Sequence, residues 1–326
     1  MEKRSIERAN ISVSSIGLGT WQLGADWGEV SDAQAIEILE SSYEAGINFF
    51  DTADVYGDGR SEQLIGGFLK NVNDDSIIIA TKMGRRAPLD SSHYTYDNFA
   101  SWIDRSQKNL GVDKIDLIQL HCPPDDVFDI DEVYDSLDRL VDSGAIGHYG
   151  VSVETCSQAL RAMERPNVAT IQIIFNAFRL KPLDEVLPRA KHLGVGVIAR
   201  VPLASGLLSG KYKLDTVFAK DDHRNYNRNG EAFDMGETFS GVDYEVGIEA
   251  AAKFAGLQDE VPPATAALAW ILSHDAVSTV IPGARNLEQL KGNLSALEYL
   301  EVGASIDSGV VDIYNRYLRE AIHPRW

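Results

Sequence analysis

The chain has 326 residues, 44 % of them apolar, and a net charge of −19. That length suits two domains or one large α/β barrel, and so acidic a surface repels nucleic acid and anionic membranes. Two cysteines make no disulfide framework, no run nears the roughly 20 apolar residues of a membrane span, and "MEKRSIERAN" has no hydrophobic segment behind it, so a cytoplasmic protein is expected.

Short β-type runs recur at 16–19, 47–50, 77–81, 115–120, 146–151, 169–174, 196–199 and 277–281. Helical patterns lie between them, such as Ile36, Leu39 and Tyr43, and later Val133, Leu137, Leu140 and Val141. Strands alternating with helices imply a parallel sheet, and eight units imply a (β/α)8 TIM barrel, read here as a single domain over residues 1–326. The rhythm breaks after the seventh strand, where a long loop includes the polar stretch "DTVFAKDDHRNYNRNGEAFDMGETFSG". Residues 213–241 are expected to form a mobile cover over the barrel mouth. The tail "IDSGVVDIYNRYLREAI" reads as a C-terminal helix packed outside the barrel. Phosphate-loop signatures fail: "GVGVIA" enters a strand instead of opening a helix, and "SGLLSGKY" shares only "GK" with a P-loop.

One stretch, "INFFDTADVYGDGRSEQLIGGFLK", sets an apolar strand directly against Asp51, with Tyr56 five positions on. Ser61 reads as the cap of an amphipathic helix presenting Leu64, Ile65, Phe68 and Leu69. In a barrel the chemistry sits at the C-terminal strand ends. Those ends are Thr20, Asp51 with Tyr56 beyond it, Lys82, His121, Ser152, Asn176, Arg200 and Pro282. A phenol is a poor acid at neutral pH unless a cation lies close, and Lys82 is expected to lower the Tyr56 pKa by about 1–3 units. Asp51 would keep Lys82 protonated, and His121 would hydrogen-bond the same substrate oxygen. Together they form a proton donor for a carbonyl oxygen.

These residues give the chain its resemblance to the aldo-keto reductase family. "DTADVYG" carries Asp51 and Tyr56, "IIIATKM" carries Lys82 and "IDLIQLH" carries His121. The likeness continues through "GLGTWQLG", "GVS", "IQIIFN", "VPLASGLLSGKY" and "VIPGARNLEQLKGN". The resemblance implies a barrel that binds NADPH without a Rossmann domain and reduces an aldehyde or ketone, with Tyr56 as general acid in a tetrad with Asp51, Lys82 and His121. It further implies Ser152 and Gln172 at the nicotinamide carboxamide, with Gly19, Thr20 and Trp21 along the cofactor. The loop holding Pro202, Leu203, Ser205, Gly206 and Leu207 would follow, with Lys211 near the pyrophosphate. Gly283, Arg285, Gln289 and Asn293 would meet the adenosine end, where Arg285 favours the 2′-phosphate of NADP. Tyr56 and His121 are the expected substrate contacts, with Trp21 and Trp27 either joining them or packing the rim.

The chain departs from the family pattern at three places. Val153 follows Ser152 where the family often has Asn, and Cys122 follows His121, widening the pocket and placing a modifiable thiol beside it. Arg200 stands where an aromatic commonly stacks on the nicotinamide. Its charge is expected to penalise NADP⁺ relative to NADPH, provided no carboxylate neutralises it. No second Cys/His pair stands at ligand spacing, so no metal is expected. Two rival readings remain at this stage: a Schiff-base aldolase using Lys82, and a cofactor-binding regulatory subunit with slow turnover. The substrate, the direction of reaction and the oligomeric state are left open by the residues alone.

Overall fold

The structure, a computed structural model, describes residues 1–24, 30–220 and 222–326. The chain opens with an antiparallel hairpin, β1 (Lys3–Ile6) and β2 (Ile11–Ser14), turned through Asn10 in the left-handed region at φ 52. Eight parallel strands follow: β3 (Leu18–Gly19), β4 (Phe49–Asp51), β5 (Ile78–Met83), β6 (Ile115–His121), β7 (Ile146–Ser152), β8 (Val168–Ile174), β9 (Gly196–Arg200) and β10 (Thr279–Val280). Each pairs with its neighbour in chain order. The bridges Ile16–Val280 and Gly19–Gly283 join the last strand to the first, and the sheet closes into a barrel.

Helices α1 (Asp32–Glu44), α2 (Arg60–Val72), α3 (Tyr96–Leu110), α4 (Asp131–Asp142), α5 (Cys156–Met163) and α6 (Val186–Leu193) fill the crossovers. Their starts follow local chemistry. Ser31 and Gln34 form a reciprocal capping box on α1, and Thr155 and Gln158 do the same on α5. At α2 the expectation for Ser61 is corrected. The helix begins at Arg60 behind Gly59 (φ 98), and the Ser61 hydroxyl instead donates to Thr20 Oγ1 (2.8 Å) and accepts from Thr52 Oγ1 (2.8 Å). A buried hydroxyl gains more from two such bonds than from an exposed cap, and it ties α2 to the ends of β3 and β4.

The hairpin was not legible as structure, yet it decides which end of the barrel is open. Ile6, Ala9 and Val13 pack against Phe49, Ala80, Leu117, Ala169 and Ile198 from inside the barrel. Arg4 donates to the carbonyls of Leu272 and Val277, and Arg8 to those of Met163, Arg165, Val168 and Leu193. Two guanidiniums thus satisfy carbonyls that would otherwise be orphaned at that end. The opposite, C-terminal end is left for a site.

After β9 comes the long connection. It holds the one-turn helix α7 (His223–Tyr226), then α8 (Tyr244–Ala255) and α9 (Pro263–Leu272) before β10. Helix α9 is buried from Thr265 to Leu272, so it shows no amphipathic period. Helix α10 (Leu287–Ser295) follows β10. The tail is helical as expected, interrupted by a π turn at Tyr314–Leu318.

Candidate active site

Hydrogen bonds gather the side chains of Asp51, Lys82, Gln119 and Gln172 inside the barrel. Lys82 pairs with Gln119 across β5 and β6, and Ser152 with Gln172 across β7 and β8. Lys82 Nζ lies 2.5 Å from Asp51 Oδ1, 2.8 Å from the Thr52 carbonyl and 3.4 Å from Tyr56 Oη. The second Asp51 oxygen accepts from Gln119 (3.1 Å) and Gln172 (2.7 Å). The Lys82 and Asp51 side chains are 1 % and 3 % exposed, so this is a fully desolvated ion pair with its remaining lone pairs satisfied.

Above that layer an open cavity of about 440 Å³ is lined by Trp21, Tyr56, His121, Ser152, Gln172 and Arg200, with Val55, Arg85, Tyr226, Phe233 and Glu237 completing the wall. Tyr56 and His121 meet edge to face at 6.1 Å, and Trp21 stacks on Tyr56 at 5.9 Å. Of the four residues expected to converge, Tyr56 and His121 face the cavity with Trp21, while Asp51 and Lys82 lie buried beneath them. Trp27 lies outside the described residues.

Charge states follow from the surroundings. For Lys82, burial pulls the pKa down, but Asp51 and Tyr56 outweigh it, so the amine is held above its ordinary value. Burial is the largest influence on His121 and, with the cations Arg85, Lys82 and Arg200 adding to it, drives the pKa well below the usual range. The imidazole is neutral at physiological pH, and its Nδ1 is buried with no hydrogen-bond partner. For Tyr56 the expectation is corrected. Lys82 does pull the phenol down, but burial is larger and the pKa stands above the ordinary value. The hydroxyl keeps its proton until something in the cavity takes it.

Arg200 also departs from expectation. Its Nη1 lies 2.6 Å from Glu237 Oε1, and its Nη2 lies 3.3 Å from Glu154 Oε2 and 3.0 Å from the Val153 carbonyl. The proviso attached to its charge fails, because two carboxylates neutralise it, and the expected penalty on NADP⁺ is withdrawn. Spacing alone would let Cys122, Glu154 and Glu237 chelate a metal, but Arg200 holds an ion pair or hydrogen bond to each of them. Burial pushes the Cys122 thiol up to about 12, which removes the basis for a reactive cysteine.

The remaining residues divide clearly. Thr20 is buried, with its hydroxyl and backbone N–H both on the Asp51 carbonyl, so it holds the floor and does not face the cavity. Gln172 faces the cavity, but both amide hydrogens go to Asp51 and Gln119, leaving only its oxygen for a ligand. Leu207 is in the core, and the Ser205 hydroxyl bridges the Glu237 carbonyl and the Phe239 N–H. That loop is strained: Val201 (φ 53), Ala204 (φ 48) and Ser205 (φ 53) are left-handed without being glycine. The Asn176 side chain holds it by donating to the Val201 carbonyl and the Ser240 hydroxyl. Asn293 donates to the Gly283 carbonyl and Gln289 accepts from the Arg285 N–H, whereas the Arg285 guanidinium has no partner among the described residues.

Sequence reasoning missed Gln119, Arg85, Glu154, Phe233 and Glu237. A signal existed for Gln119, which sits two residues before His121 and so on the same strand face. Within 213–241 the structure places Tyr226, Phe233 and Glu237 on the cavity, as a cover requires. The stretch is also anchored more firmly than its polar composition suggests, through buried Asn227, Thr238 and Ser240.

Asp54, two residues before Tyr56, is buried with neither carboxylate oxygen hydrogen-bonded. Burial first, and then Glu62, raise its pKa from 3.8 to about 7. The folded chain therefore keeps this proton where the unfolded chain has lost it. Stability from Asp54 is complete below about pH 4 and falls as pH rises to about 7, at about 1.4 kcal/mol per unit at most. Asp54→Asn should remove that slope. Urea unfolding of both proteins from pH 4 to 8 checks this, and parallel curves would refute it.

The fold is a TIM barrel whose polar floor and open cavity lie at the C-terminal strand ends. The profile of the aldo/keto reductase family matches residues 15–304, and the chain belongs to that family. Aldo-keto reductase YhdN of Bacillus subtilis is 31 % identical over 295 residues, 89 % of this chain and 87 % of its own. An uncharacterised oxidoreductase of the same organism, YqkF, is 30 % identical over 300 residues, 91 % of each chain. The glycerol dehydrogenase of Gluconobacter oxydans superposes with a TM-score of 0.79 at 29 % identity, covering 99 % of this chain and 98 % of that one. Among the described residues, no helix is long and apolar enough to cross a membrane.

Proposed function

We propose that the chain reduces aldehydes or ketones to alcohols with NADPH, with Tyr56 as the general acid. The observation that carries this reading is the buried series Asp51–Lys82–Tyr56 ending at an open cavity beside a neutral His121. Asp51, pinned by Gln119 and Gln172, keeps Lys82 charged. Lys82, 3.4 Å from Tyr56 Oη, stabilises the phenolate that forms as the proton leaves. A neutral His121 offers an N–H to the same carbonyl oxygen, which fixes the substrate's orientation and shares its developing charge.

The residues beyond Tyr56 suit a dinucleotide. The Arg285 guanidinium is unpaired among the described residues, the buried Gln22 Oε1 over Gly283 is unsatisfied, and the strained loop after β9 lies along the same rim. Ser152 and Gln172 would meet the carboxamide, Gly19 and Trp21 would flank the cofactor, and Leu203, Gly206 and Lys211 would follow the pyrophosphate. Gly283, Arg285, Gln289 and Asn293 would take the adenosine end. When bound, the reduced nicotinamide supplies hydride to the carbonyl carbon. Lys82 as a Schiff-base nucleophile is disfavoured, because its amine is charged and hydrogen-bonded to three oxygens.

Loss of NADPH absorbance on adding a panel of aldehydes and ketones tests the reading, and inactivity across the panel would refute it. NADPH should bind more tightly than NADH, and Arg285→Ala should erode the difference. A charge-assisted bond to a phosphate is worth roughly 10- to 150-fold in affinity. Equal binding of the two cofactors to the unmutated chain would remove that role from Arg285.

A further inference from the structure

A second cavity, of about 330 Å³, opens beside the first and shares Arg85 and Phe233 with it. The division begins at the end of β6. Cys122 has φ 49, a conformation that non-glycine residues seldom adopt, so the chain turns sharply after His121. His121 is left facing the first cavity, while Pro123 and Pro124 line the second. Arg85 stands between them: its Nε donates to the His121 carbonyl (3.1 Å) and its Nη2 to Glu154 Oε1 (3.2 Å). Its Nη1 has no partner among the described residues.

Each carboxylate lining the second cavity already has a donor. Asp125 pairs with Arg161 at 3.1 Å, Glu154 lies between Arg85 and Arg200, and Asp234 accepts from the Trp326 indole at 3.0 Å. A carboxylate or phosphate would crowd against the carboxylates of Asp125, Glu154 and Asp234, and an ammonium within reach of Arg85 would meet its guanidinium. A neutral hydroxyl meets neither repulsion. It accepts from Arg85 Nη1 or the Gln158 amide and donates to the lone pairs left on the carboxylates. Leu89, Pro123 and Phe233 supply apolar walls for the carbon chain between.

We infer that the second cavity is a distal subsite that takes the hydroxylated tail of the carbonyl substrate whose C=O group meets Tyr56 and His121. The inference rests on the reductase reading. Arg85 thereby becomes a specificity-determining residue, coupling the tail's position to the backbone of His121.

Four aldehydes test it: propanal, hexanal, 6-hydroxyhexanal and 6-oxohexanoate, each with NADPH. The unmutated chain should show kcat/KM for 6-hydroxyhexanal about tenfold above hexanal and 6-oxohexanoate, the worth of one well-placed hydrogen bond. Ala232 is exposed on the rim of the second cavity, so Ala232→Trp can fill that cavity without entering the core. In this variant the preference for 6-hydroxyhexanal should vanish. A ranking unchanged by Ala232→Trp, or a preference for the carboxylate tail, would overturn the subsite while leaving the reductase reading intact. If no aldehyde is reduced, the reductase reading falls, and calorimetric titration of 1,6-hexanediol then decides the subsite alone. Binding to the unmutated chain and not to Ala232→Trp upholds it, and binding to neither or equally to both overturns it.

Discussion

Tyr56→Phe is expected to cut carbonyl reduction by at least 10²–10⁴-fold, the usual contribution of a positioned general acid. The substitution removes one hydroxyl. The ring that stacks on Trp21 at 5.9 Å and meets His121 at 6.1 Å remains. Lys82 keeps its bonds to Asp51 and Thr52, so the floor should not rearrange. NADPH affinity should be nearly unchanged, because the proposed cofactor contacts lie elsewhere along the rim. Rapid-mixing kinetics with fluorescence titration of NADPH separates the two effects. Near-normal turnover in Tyr56→Phe would remove the phenol from the mechanism, and a matching loss of NADPH binding would make its role structural.

The second large effect is on stability. Lys82→Met leaves Asp51 as a buried carboxylate without its counter-charge, and removing one partner from such a pair costs roughly 3–5 kcal/mol. Gln119 and Gln172 still donate to Asp51, which favours the lower part of that range. The double variant Asp51→Asn/Lys82→Met removes both charges and should recover much of the loss. Urea midpoints of the three proteins and the unmutated chain measure it. A Lys82→Met chain as stable as its parent, or a double variant less stable than either single, would contradict a buried pair whose worth lies in mutual neutralisation. On the proposed mechanism the pair is kept because a methionine and an asparagine, whatever their stability, could hold no charge under Tyr56.

Much of this was legible in the residues because barrel chemistry sits at strand ends and strand ends can be read. Asp51 closes β4, Lys82 is the penultimate residue of β5, and His121 closes β6. What escaped has physical causes. The β1–β2 hairpin consists of four-residue strands joined by a single turn, too short for alternation to stand out. Helix α9 is apolar on every side, so no 3.6-residue period marks it. Glu237 reaches Arg200 from a loop 37 residues on, and irregular backbone carries no periodicity that predicts such a contact. Arg85 lies beyond its strand, where only the fold reveals that it borders two cavities. The Tyr56 pKa was misjudged for a related reason: the attraction of Lys82 is evident from the motif, whereas the wall that outweighs it is assembled from distant segments.

The proposed reaction is tested most directly by tracing the transferred atom. The enzyme is given NADPH deuterated at C4 of the nicotinamide, an aldehyde it turns over, and ordinary water, and the alcohol is analysed by mass spectrometry. The account predicts one deuterium on the former carbonyl carbon when one face of the ring is labelled and none when the other is, with the hydroxyl proton coming from solvent through Tyr56. Alcohol free of deuterium from both labelled forms, or product formed without NADPH, would contradict it.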